Sequence, residues 1–130
     1  MTDQLRGADI VARTLDRAGM HQIFTLSGNH IMEIFDATIG TDIKLTHVRQ
    51  EGAAVLMAGA WGQLTGNVGI AMVTGGPGHT NAVAALCTPQ ASEMPMVLLS
   101  GHAPTSELGR GSFQELPQAE MAATVTKADW

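Results

Sequence analysis

The sequence predicts an α/β fold, a doubly wound parallel sheet with helices on both faces. Three observations carry that expectation. Short apolar runs alternate with helix-period segments along all 130 residues. The connections between most of them are short and marked by glycine. The run Val68-Gly69-Ile70-Ala71-Met72-Val73 is apolar throughout, as strands covered on both faces are.

Each element follows from its own residues. Residues 8–18 set Ile10, Val11, Leu15 and Ala18 on one helical stripe, and Gly19 is the stop. Gln22–Leu26 is a short apolar strand that ends in Ser27-Gly28-Asn29. Residues 31–37 read as a second helix with Asn29 or His30 at its cap. A strand over 44–48 leads into an alanine-rich helix over 51–64, closed by the turn Gly66-Asn67. After the strand over 68–73 come a helix over 78–91, Pro95 and a strand over 96–99. Beyond Gly101 lies a loop of more than ten residues with Pro104, Gly109 and Gly111, a length that points to function. A short helix over 118–123 and a further strand starting at Thr124 or Val125 finish the chain. With that strand begun near Trp130, the expected domain is 1–130 as one unit, truncated at its C-terminal end.

Composition narrows the functional classes. The chain is 45% hydrophobic and only 15% charged, which excludes disorder and suggests a surface partly covered by partner protein. Net charge is −5 and no Lys/Arg cluster exceeds two neighbouring positions, so nucleic acid is not an expected partner. No run reaches transmembrane length and no signal core opens the chain, so the default expectation is cytoplasmic, with no membrane. Cys87, the single cysteine, lies in a small-residue helical run and is expected to be a buried, inert thiol.

In parallel sheets of this kind ligands bind beyond the carboxyl ends of the strands. Ser27-Gly28-Asn29, Glu51, the turn Gly75-Gly76-Pro77-Gly78 and the loop after Ser100 all fall there. Glu51 is a lone carboxylate opening a nearly apolar helix, costly to bury unless paired and suited to proton transfer. The glycine turn is either a tight strand-to-helix connection or an anion cradle, and it is no Walker loop, because no Lys-Ser/Thr follows. Asn81, one helical turn past Pro77, points back over the same rim. His30 reads equally as a helix cap or a rim group. His47 and Glu51 have the spacing of a metal pair without further ligands, so no metal site is expected. His21, His79 and His102 have no motif around them and read as structural or exposed.

Three features in register, Glu51 after the second strand, Gly76-Pro77-Gly78-x-x-Asn81, and Phe113-Gln114-Glu115 after Gly109-Arg110-Gly111, give the chain its resemblance. It resembles the N-terminal, pyrimidine-binding domain of thiamine diphosphate-dependent enzymes, in the acetolactate synthase-like group with benzaldehyde lyase, oxalyl-CoA decarboxylase and 2-hydroxyacyl-CoA lyases. The resemblance implies thiamine diphosphate as cofactor and a small carbonyl compound as substrate. By it, Glu51 hydrogen-bonds the aminopyrimidine and promotes ylid formation, and Gln114 reaches toward substrate. Leu26, Gly28, Asn29, Gly76, Pro77, Gly78 and Asn81 are implied as cofactor contacts.

The segment Leu26-Ser27-Gly28-Asn29-His30 departs from the family's Gly-Tyr-Pro-Gly-Gly loop. It is nearer the histidine-bearing loops of benzaldehyde lyase and the acyl-CoA lyases, which implies substrate-level proton transfer by His30. No Gly-Asp-Gly is present. The Mg²⁺ and the diphosphate are therefore implied to sit on a domain outside this chain, from the same or a neighbouring subunit of a homo-oligomer. The expected activity is that of a carbon–carbon lyase, ligase or decarboxylase on 2-keto or 2-hydroxy acids or acyl-CoA. A non-catalytic remnant or association module is the alternative.

Overall fold

A computed structural model describes residues 5–130. Helix α1 (Gly7–Arg17) leads to β1 (Gln22–Leu26), a 3₁₀ turn (Asn29–Ile31), α2 (Met32–Ala37) and β2 (Lys44–His47). Next come α3 (Glu51–Thr65), β3 (Gly69–Val73), α4 (Pro77–Ala91) and β4 (Met96–Ser100). A long loop then reaches α5 (Gln118–Ala122). The four strands are all parallel, in the order β2-β1-β3-β4. The chain moves from β1 outward to β2 and then returns past β1 to β3. The direction therefore reverses between β1 and β3, and the crevice beyond their carboxyl ends is where such sheets bind ligands.

Helices cover both faces, as predicted. On one, Phe24, Ala71 and Val73 of the sheet pack with Ala54, Val55 and Ala58 of α3 and Ala82 and Leu86 of α4. On the other, Ile23, Ile70 and Met72 meet Ile31, Leu15 of α1, and Ile34 and Phe35 of α2. Alternation along β1 and β3 produces this division, because successive side chains point to opposite faces. Helix α3 starts where Gln50 caps it, its side-chain oxygen accepting from Ala53 N–H at 2.9 Å. It ends at Gly66, whose φ of 72° is the left-handed stop that glycine supplies. Pro77 starts α4 at a position where its missing N–H costs nothing.

Two expectations need correction. No strand starts at Thr124 or Val125: residues Ala123–Val125 form a 3₁₀ turn continuing from α5. The β-branched side chains of Thr124 and Val125 favour extension, but no sheet partner is hydrogen-bonded to them, and β preference depends on such pairing. Cys87 is exposed rather than buried, on the outward side of α4. His79 is structural as expected, and fully interior, at 4% exposure. Among the described residues no helix is long and apolar enough to cross a membrane.

Candidate functional site

At the carboxyl end of β1, Gly28 lies flush against the Thr74 side chain that follows β3, and a Cβ there would collide with it. The 3₁₀ turn after Gly28 brings His30 onto the rim. Its Nδ1 lies 3.1 Å from Thr74 Oγ1. Its ring stacks on Phe113 with centroids 5.9 Å apart and planes at 17°. Gly101, at the end of β4, passes so close that a Cβ would stand 2.5 Å from His30 Cβ. Three strand ends and the long loop thus converge on one imidazole.

Glu51, half-buried, opens α3 beside the first turn of α4. Asn81 Nδ2 donates to its Oε2 at 3.0 Å, which supplies the partner the sequence demanded. Oε1 has no hydrogen-bond partner among the described residues. Gly78 lies beside it, where a Cβ would stand 3.6 Å from Oε1, an ordinary contact, and 2.7 Å from the Thr74 methyl, a collision. Gly76 holds φ 59° and ψ −116°, a conformation that only glycine adopts readily. A Cβ at Gly76 would lie 2.6 Å from Gln114 Cβ, so the long loop rests directly on the glycine turn.

Gln118 holds that arrangement from below. It is buried, and both ends of its amide are used: Oε1 accepts from Gly76 N–H at 2.7 Å, and Nε2 donates to the Gly101 carbonyl at 2.9 Å. Gln114 itself has φ 59°, left-handed and uncommon for a residue with a side chain. Glu115 pins the loop tip by accepting from the amides of Gly109 and Ser112, and those bonds hold its carboxyl below the usual range. Under the turn, His79 Nδ1 lies 2.7 Å from Ser100 Oγ, while its Nε2 is buried with no partner in bonding geometry. Burial lowers this imidazole's pKa, the Gln118 backbone opposing and nearby His102 adding to the drop.

The structure therefore brings Glu51, Gly78 and Asn81 into one cluster, Gly76 and Gln114 into a second, and His30 with Phe113 into a third. Pro77 is exposed at the helix start. Leu26 packs partly into the α3–α4 core, and Asn29 is exposed at the start of the 3₁₀ turn. His47 turns to Ser27 at 3.0 Å. Asp16, His21 and Asp42 do gather ligand atoms within 4.8 Å, at the opposite, amino end of the sheet. Thr74 and Gln118 escaped the sequence reading. Thr74 carried a signal, since it sits between an apolar strand and the glycine turn; Gln118 carried none.

Residues 5–121 match the family described as thiamine pyrophosphate enzyme, N-terminal TPP binding domain. Among curated proteins, the chain is 39% identical over 127 residues to acetolactate synthase isozyme 3 large subunit of Escherichia coli, covering 96% of this chain and 22% of that protein. It is 37% identical over 127 residues to acetolactate synthase large subunit IlvG of Mycobacterium tuberculosis, covering 92% and 23%. To 2-hydroxyacyl-CoA lyase 2 of Xenopus laevis it is 40% identical over 121 residues, covering 93% and 19%. It thus spans about a fifth of the length of these relatives. A match across nearly the whole chain, on a sheet whose switch point carries Glu51, Asn81 and the glycine turn, has one meaning: the chain belongs to the family of N-terminal TPP-binding domains of thiamine pyrophosphate enzymes.

Proposed function

We propose that residues 1–130 form the pyrimidine half of a thiamine diphosphate site in an enzyme that makes or breaks carbon–carbon bonds beside a carbonyl. The observation that carries this reading is the Glu51–Asn81 pair, which commits Oε2 and leaves Oε1 as an open acceptor at the rim. An aminopyrimidine ring nitrogen that donates a proton fits that acceptor. When bound, the cofactor supplies a carbon nucleophile and an electron sink. Glu51 holds the proton shared with the ring nitrogen, and Asn81 fixes the carboxylate's orientation. Leu26, Gly28, Asn29 and Pro77 border the ring, while His30 and Gln114 face the substrate.

The Mg²⁺ and the residues that hold the diphosphate belong to a second domain, from the same or a neighbouring subunit of a cytoplasmic homo-oligomer. The substrates are 2-keto or 2-hydroxy acids or their acyl-CoA relatives, the classes suggested by the relatives' names. Calorimetry of the chain with Mg²⁺ and thiamine diphosphate, alone and mixed with the diphosphate-binding domain of a relative, tests this reading. Binding is expected only in the mixture. Sub-micromolar binding by the chain alone contradicts a half-site.

A further inference from the structure

We propose that Thr74 is a positioning residue that fixes the tautomer of His30, holding the ring proton on Nε2. The ring then offers the rim a hydrogen-bond donor rather than a base. The inference rests on the reading above for its functional meaning, but its structural content stands on this chain's own atoms.

Thr74 Oγ1 lies 3.1 Å from His30 Nδ1 and has no other hydrogen-bond partner among the described residues. The pair can form in either direction; donation by the hydroxyl to the Nδ1 lone pair is the one that gives the hydroxyl proton an acceptor among the described residues, and it is the direction assigned here. A neutral imidazole that accepts at one nitrogen carries its proton at the other. Among the described residues Nε2 has no hydrogen-bond partner, and it is not among the buried unpartnered atoms, so it reaches solvent at the rim.

The ring is not free to choose another pose. Phe113 stacks on one face, and Gly101 presses on its Cβ side. Thr74 is held in turn, wedged where Gly28 and Gly78 lack side chains. A carbonyl oxygen placed at Nε2 would meet N–H, so negative charge developing on that oxygen gains a donor already aimed at it.

The test is nitrogen-15 NMR of the histidine rings in the full chain, at about pH 9 so that the rings are neutral. His30 signals are identified by their loss in His30→Asn. In the wild type the protonated nitrogen should be Nε2, and Thr74→Ser, which keeps the hydroxyl, should retain this pattern. Thr74→Val, nearly the same shape without the hydroxyl, should shift the ring toward a mixture of tautomers. A wild-type ring protonated at Nδ1, or an unchanged ring in Thr74→Val, overturns the proposal; the wild-type spectrum decides even if the valine variant fails to fold.

Turnover of the completed enzyme separates the two ideas. If His30→Ala leaves turnover unchanged while the spectra show Nε2–H, the substrate role of His30 fails and the tautomer assignment stands. If His30→Ala lowers turnover but the spectra show Nδ1–H, the assignment fails and the role stands.

Discussion

The two faces of the sheet solve the packing problem differently. The α1–α2 face is filled with bulk, from Ile23, Ile31, Ile43, Ile70 and Met72. The α3–α4 face is filled by closeness. Ala54, Ala58, Ala71 and Ala82 line it, and backbone meets backbone where Gly69 abuts the Ala58 carbonyl and Gly62 that of Pro95. Small residues draw α3 and α4 together until their first turns touch through Glu51 and Asn81. The bulky face contributes only His30, on a turn held by side-chain contacts. Close backbone packing is what brings the carboxylate and its amide partner together.

The difference is sharpest at Gly69. Gly69→Ala drives a Cβ into the Ala58 carbonyl, with no flexible atom to give way. It should cost at least about 3 kcal/mol in urea unfolding. Ile23→Val on the bulky face should cost only about 1 kcal/mol. Equal losses would mean that the faces are packed alike. Gln118→Leu comes next: it strands the Gly76 amide and the Gly101 carbonyl and should remove about 2–3 kcal/mol. It should also release the loop that carries Gln114, read as faster amide exchange over residues 101–117.

The smallest effect is a pH slope from His79. Its folded pKa is lowered by burial, so below about pH 6.5 the unfolded chain binds the proton more readily. Its contribution is intact above that pH and is lost as pH falls toward the folded value. One proton sets a ceiling of about 1.4 kcal/mol per pH unit. His79→Asn should flatten this part of the stability profile between pH 7 and about 5.

Local pattern accounts for what was legible beforehand. The four described strands and the helices between them follow from apolar runs and glycine stops, and motif and register single out Glu51, Asn81, Gly76 and Gln114. The misses share a cause. Gln118 bonds partners 42 and 17 positions away, so nothing beside it in sequence distinguishes it from a surface glutamine. Cys87 lies among small residues whose outward side only the placement of α4 reveals. Thr124 and Val125 have strand-like side chains but no strand to pair with, and pairing is a property of the sheet.

Glu51 gives the most direct test of the half-site. Deuterium exchange at the thiazolium carbon of bound thiamine diphosphate, followed by NMR in an assembly of this chain with a diphosphate-binding domain, isolates proton transfer from all later chemistry. Glu51→Gln keeps the size and a hydrogen bond to Asn81 while removing the proton-holding oxygen. The expected result is exchange slowed by at least about a hundredfold, the usual scale for loss of acid–base help, with cofactor still bound and the fold intact. Wild-type exchange in that variant would remove Glu51 from the mechanism and contradict the assignment of the pyrimidine site to this rim.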